Sequence, residues 1–232
     1  TPIDTVKVVQ LCYSLGINSV DELKKISNKH QKVKSKIRQI AVPTTLSGGE
    51  YSIIGGAMDT KIQLKERYTG DDICPQVVIL DPAITLHTPD WLWLSTAIRS
   101  VDHAVEGLCS NSTNPLIPPM ALNSLQLFGN SLRNTHKNRD DIISRSLSQK
   151  AVWMIAKNLG NTPMGASHGI GYLLGSIGSV PHGHTSCVML PAVLKWNESY
   201  NQDKQKWIAN ALGRPNLSAS EAVGELISDL GL

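Results

Sequence analysis

"MGASHGIGYLLGSIGSVPHG", residues 164–183, sets His168 and His182 in a run of glycines and small side chains, with Tyr172 four positions after the first histidine. Residues four apart lie on one face of a helix, so Tyr172 and His168 point the same way if this stretch is helical. A third histidine, His103, lies upstream in "IRSVDHAVEG" (98–107), with Arg99 four residues before it and Glu106 three after. Arg99 and His103 therefore share a helix face. Three histidines from two elements can form a three-nitrogen metal site with an open position, although spacing by itself fixes no geometry.

Working outward, "IRQIAVPTT" (37–45) and "QVVILDP" (76–82) read as buried strands that feed loops at the carboxyl edge of a parallel sheet. The polar, glycine-containing segment between them reads as a hairpin or loop excursion. Beyond "AITLHTP" (83–89) the texture turns helical, through "PDWLWLSTAIRSVDHAVEGLCS", "PMALNSLQLFGNSLRNTH" and "RDDIISRSLSQKAVWMIAKNLG" to the end. The expected division is an α/β part over residues 1–87 and an all-helical part over 88–232. The opening "TPIDTVKVVQLCYSLG" reads as a helix, with Thr1 as cap, Pro2 in its first position, Asp4 in its first turn and Gly16 as terminator. Near the other end, Ser218 and Glu221 form a possible capping box. A domain rarely begins on the cap of a helix, so the expectation is a chain cut at both ends.

A hydrophobic content of 41% with 18% charged residues is that of a folded globular chain of 232 residues. The net charge of +3 is too small to argue for nucleic acid, and the basic cluster between Lys24 and Arg38 reads as a solvated helix face and loop. Cys12, Cys74, Cys109 and Cys187 lie far apart, which suits reduced thiols, and there is neither a signal peptide nor a long apolar run. The expected location is cytoplasmic, with no membrane partner.

At this point the chain resembles the iron-containing alcohol dehydrogenases, and among them the maleylacetate reductase branch. "TPIDTVK" looks like the segment after that family's glycine-rich pyrophosphate loop, and "AVPTTLSGGEYS" like its nicotinamide-side loop. "VVILDPAITLHTPDWLWLSTAIRSVDHAVEG" resembles the domain junction and first ligand helix, and "GASHGIGYLLG…VPHG" the second ligand segment. The resemblance implies a dehydroquinate synthase-like architecture: the remnant of a dinucleotide-binding parallel sheet, then an all-α domain, with the active site in the cleft between them. It implies about a hundred further residues before Thr1 and some tens after Leu232. It also implies NAD or NADP as cofactor and a homodimer, for which the Trp91–Trp93 stretch offers apolar surface.

The family's metal ligands are an aspartate, a histidine four residues later, and two histidines fourteen apart. His103, His168 and His182 occupy the histidine positions, but Arg99 stands where the aspartate belongs. Tyr172 replaces a catalytic histidine. At about 4 Å and an effective dielectric near 20, a dication would feel roughly 8 kcal/mol of repulsion from a guanidinium, which does not deprotonate. No tightly held iron or zinc is expected; a metal, if bound, would sit on His103, His168 and His182.

Arg99 then either pairs with Asp102 or Glu106 and fills space, or stands in for the metal by binding a carboxylate or polarising a carbonyl. Tyr172 is either an interface aromatic or a phenol that orients or protonates a substrate oxygen. His182 remains a candidate for proton transfer, and His184 a bystander near the rim. Thr1 and Asp4 at the first helix, with Thr44, Thr45, Ser47 and Gly48, are the expected cofactor contacts. The expected function is hydride transfer from a nicotinamide cofactor to an activated carbonyl or conjugated alkene in a small substrate, neutral or anionic. Arg99, His103, His168, Tyr172 and His182 would line its pocket. The alternative is a repurposed, non-redox member of the fold, either a small-molecule cyclase or isomerase or a non-catalytic protein.

Overall fold

The computed structural model describes all residues except 1, 63, 157–161 and 179. The chain divides into two compact units: Thr1–Pro43 with Gly49–Ile79, and Thr44–Gly48 with Leu80–Leu232. The division falls at Ile79, earlier than the boundary near 87 read from composition. It also assigns the short loop 44–48 to the helical unit.

The first unit contains α1 (Pro2–Leu15), α2 (Val20–Lys25), β1 (His30–Gln31), β2 (Ile40–Ala41), β3 (Ile54–Asp59), β4 (Leu64–Gly70) and β5 (Val77–Val78). β3 and β4 form an antiparallel hairpin, in line with the excursion expected there, and β1 adds parallel to β4. Among the described residues, β2 and β5 pair parallel with each other and with no third strand. They are the two strands anticipated from sequence, but they are short and only partly buried: Ala41 is buried, whereas Ile40 and Val77 are exposed, as are Val42 and Ile79 nearby. Side chains alternate between the two faces of a strand, so Ala41 lies on the covered face while Ile40 and Val42 lie on the open one.

The core of this unit is Val8, Leu11, Val33, Tyr68 and Ile73. Sealing Leu11 and Ile73 from water stabilises it by about 1.5–3 kcal/mol each. Lys7, also on α1, is completely buried, and its ammonium donates to the carbonyls of Gly49 (2.5 Å), Ser52 (2.7 Å) and Ile54 (3.0 Å). A buried ammonium is tolerated because these acceptors replace its water, and through them it ties the 49–54 segment to α1.

The second unit is built on α3 (Asp90–Cys109), whose residues from Trp93 to Leu108 are all buried. Around it pack α4 (Ile117–Lys137), α5 (Ile142–Ala156), α6 (Ala166–Ile177), α7 (His182–Trp196) and α8 (Gln202–Ala211), while α9 (Ala219–Asp229) lies on α7 and α8. Asp81 turns the chain into this unit by accepting the Ala83 N–H at 2.8 Å. The Ser218–Glu221 capping box is present at α9. Trp93, considered above as dimer surface, is instead sealed inside this unit with the Arg145 guanidinium 4.7 Å from its ring, whereas Trp91 is half-exposed. Neighbours two apart on a helix face opposite ways, which is why one tryptophan goes in and the other out. No helix among the described residues is long and apolar enough to cross a membrane.

Candidate active site

The candidate site is assembled within the helical unit by α3, α6, α7 and the 44–48 loop. Its first part is a junction at Asp102, which is fully buried. Ser167 on α6 and Ser186 on α7 both donate hydroxyl bonds to Asp102 Oδ2, at 2.8 and 2.6 Å. Ser186 in turn accepts Arg99 Nη1 at 3.1 Å, and that nitrogen lies 3.9 Å from Asp102 Oδ2. Arg99 is thus oriented through a serine rather than clamped by a bidentate carboxylate. Its Nε is buried with no hydrogen-bond partner among the described residues. Burial pulls the guanidinium below its usual pKa while Asp102 and Glu106 oppose the shift, and it remains a cation.

The second part is a pair of imidazoles. The rings of His103 and His168 stack with centroids 4.7 Å apart and planes 27° from parallel. His168 Nδ1 lies 2.7 Å from Glu106 Oε2 and 3.4 Å from Asp102 Oδ2. The two rings are driven apart electrostatically. Burial holds His103 well below the usual imidazole range, and the charges of His168, Arg99 and His182 push the same way. Burial also works against a charge on His168, but its hydrogen bonds to Asp102 and Glu106 together raise it above the usual value. The arrangement holds one imidazole neutral beside one that binds a proton readily, so it can take up or deliver a proton. His103 Nδ1 and His168 Nε2 are buried without partners among the described residues.

The remaining expected residues lie farther out. Tyr172, one turn along α6 from His168, is 41% exposed. His182 is the first residue of α7 and is exposed. His184 lies beside Trp91, ring centroids 6.1 Å apart. In the 44–48 loop, Leu46 is fully buried; Thr96 Oγ1 accepts its N–H at 3.1 Å and the Ser100 hydroxyl donates to its carbonyl at 2.5 Å. Thr88 donates to the Thr44 carbonyl at 2.8 Å. This main chain is therefore pinned to α3, while the Thr45 and Ser47 hydroxyls sit half-buried and 3.4 Å from each other. Asp4 is in the first turn of α1, in the other unit, and Thr1 lies outside the described residues.

Of the metal-ligand set that the resemblance implies, the structure brings only His168 into a cluster of ligand atoms. Among the described residues, the one cluster of at least three His, Cys, Asp or Glu ligand atoms within 4.8 Å of one another is Asp102, Glu106 and His168. His103 and His182 are not in it. Nor is that cluster a ready cage, because both Glu106 oxygens already accept backbone N–H groups, from Gly165 at 2.8 Å and Ser167 at 2.7 Å. Sequence reasoning took Asp102 and Glu106 only as partners for Arg99 and passed over Ser167 and Ser186. The available signal was the two carboxylates four apart on α3, one helical turn, so that both face α6.

The family model for the C-terminal part of the Fe-containing alcohol dehydrogenases matches residues 94–231, the span that holds α6, α7 and all of α3 but its first turn. The chain belongs to the iron-containing alcohol dehydrogenase family. Within it, the chain falls in the maleylacetate reductase-like branch. It is 33% identical to the dehydrogenase ALT3 of Alternaria alternata, over 99% of this chain and 69% of that protein. The crystal structure of maleylacetate reductase from Agrobacterium tumefaciens superposes with a TM-score of 0.77 at 27% identity, covering 84% of this chain and 54% of that one. The fold is also that of sulfoacetaldehyde reductase from Bifidobacterium kashiwanohense, solved in complex with NAD+, with a TM-score of 0.85 at 22% identity over 99% of this chain and 61% of that one. The chain thus spans between about half and two-thirds of the length of these relatives.

Proposed function

We propose that this chain acts as an NAD- or NADP-dependent oxidoreductase that reduces an activated carbonyl, or an alkene conjugated with one, without a bound metal. The observation that carries the reading is Arg99. A buried cation with an unpartnered donor, next to two histidines of opposite protonation tendency, supplies what a Lewis acid supplies elsewhere in this family. A planar fork of N–H groups suits a carboxylate or a developing enolate oxygen, so the substrate class is a small oxo acid or similar anion.

A nicotinamide cofactor contributes the hydride when bound. The residues that would hold it are Thr44, Thr45, Ser47 and Gly48, on a loop whose main chain is already fixed by Thr88, Thr96 and Ser100. Arg99 would stabilise negative charge on the substrate oxygen, and His168 would exchange the proton that completes the reduction. Tyr172 and His182 would bound the pocket. We further infer a cytoplasmic location, which four free thiols suit, and, from the family resemblance alone, a homodimer.

Titration with NADH and NADPH, followed by fluorescence and thermal shift, tests the redox reading. Saturable binding is expected, and no binding at millimolar cofactor would leave the non-redox cyclase or isomerase reading in its place. Metal independence has its own measurement. Elemental analysis of untreated protein is expected to find far less than one iron or zinc per chain, and near-stoichiometric metal would overturn it.

A further inference from the structure

We propose that Glu106 is the positioning residue for His168, fixing which ring nitrogen carries the proton and which is left to act. Glu106 does not act on its own account, because every part of its carboxylate is engaged. Oε1 accepts the Ser167 N–H at 2.7 Å; Oε2 accepts the Gly165 N–H at 2.8 Å and faces His168 Nδ1 at 2.7 Å. Gly165 and Ser167 form the start of α6, and Gly165 has no side chain with which to cap it. Glu106 reaches across from α3 and supplies that cap, where exposed N–H groups and the helix dipole both favour a negative charge. The approach is close: a Cβ on Gly165 would stand 2.7 Å from Glu106 Oε1. Glycine at 165 is what lets the carboxylate in.

The consequence falls on His168, which follows directly in the first turn of α6. Both groups within reach of its Nδ1 are carboxylates, Glu106 at 2.7 Å and Asp102 at 3.4 Å, and neither carboxylate oxygen has a proton to give in its ionised form. Nδ1 must therefore be the protonated nitrogen. In the neutral ring Nε2 is then bare, and it is the ring nitrogen that has no partner among the described residues. One carboxylate thus builds the end of the helix that carries His168 and fixes the tautomer of His168 itself. Proton exchange at this site runs through Nε2, with Nδ1–H held in place by Glu106. The inference deepens the oxidoreductase reading and rests on it only for the identity of the reaction.

The test is long-range proton–nitrogen NMR on protein labelled with 15N-histidine, the His168 signal being the one lost in His168→Gln. The wild-type chain is expected to show the proton on Nδ1, and a neutral His168 protonated on Nε2 would overturn the proposal without any variant. In Glu106→Gln the carboxamide offers one oxygen in place of two, and its NH2 can donate to Nδ1 only when that nitrogen is bare. A population protonated on Nε2 is therefore expected to emerge. A folded Glu106→Gln chain with an unchanged His168 signal would count against it. Neither spectrum depends on turnover, so a chain with the expected tautomer and no cofactor binding would refute the redox reading alone.

Discussion

Replacing Arg99 with alanine is expected to lower kcat by about 10²–10³-fold, the usual loss when one preorganised donor to a developing anion is removed. The fold should survive. Asp102 Oδ2 would keep its two hydroxyl donors, Ser167 and Ser186, so no buried carboxylate oxygen that is now bonded would be stripped of its partners. Arg99→Lys separates charge from geometry. It keeps the cation but not the planar fork, and an intermediate loss is expected. Steady-state kinetics with each variant, alongside thermal unfolding, reads both effects. Full activity in a folded Arg99→Ala chain would mean that the arginine only fills space.

The largest effect on stability is expected at Gly183. A Cβ there would lie 2.6 Å from Ser95 Oγ, 2.7 Å from the Ser95 carbonyl carbon and 2.8 Å from Ser95 Cβ. Two of these atoms belong to or adjoin the main chain of α3, so the first turn of α7 must back away. Forced overpacking of this kind costs about 1–3 kcal/mol, or roughly 2–12 °C in melting temperature for a chain of this size. Activity should fall as well, because Ser186 lies less than one turn beyond and orients Arg99. Gly175→Ala is the matched comparison: its nearest neighbour would be the Val180 carbonyl at 3.5 Å, an ordinary contact, and little change is expected. Calorimetry on the two variants decides the matter. Equal stability would show that α3 and α7 do not approach as closely as the structure has them.

Much of this site was legible as positions and little of it as partnerships. His103, Arg99 and His168 were found from spacing and resemblance, since both are properties of linear order. The residues that set their chemistry are two carboxylates and two serines, types common enough that no pattern marks them. Ser186 touches Arg99 across 87 positions and Ser167 touches Asp102 across 65. The inward turn of Trp93 escaped the reading for the same reason, because a tryptophan in a helix does not announce which side faces the core.

By itself, then, the amino-acid sequence determined the family, the order of an α/β part before a helical one, the capping box of the last helix and the placing of Arg99 and His103 one turn apart on a single helix. These follow from local propensity and from motifs a few residues long. Only the tertiary structure decided that Arg99 is held through Ser186, that His168 is gripped by Glu106, and that the 44–48 loop belongs with the helices. Each of those depends on which side chains meet when α3, α6 and α7 pack. Hydrogen-bond partners and burial, not residue identity, set the protonation of one histidine against the other.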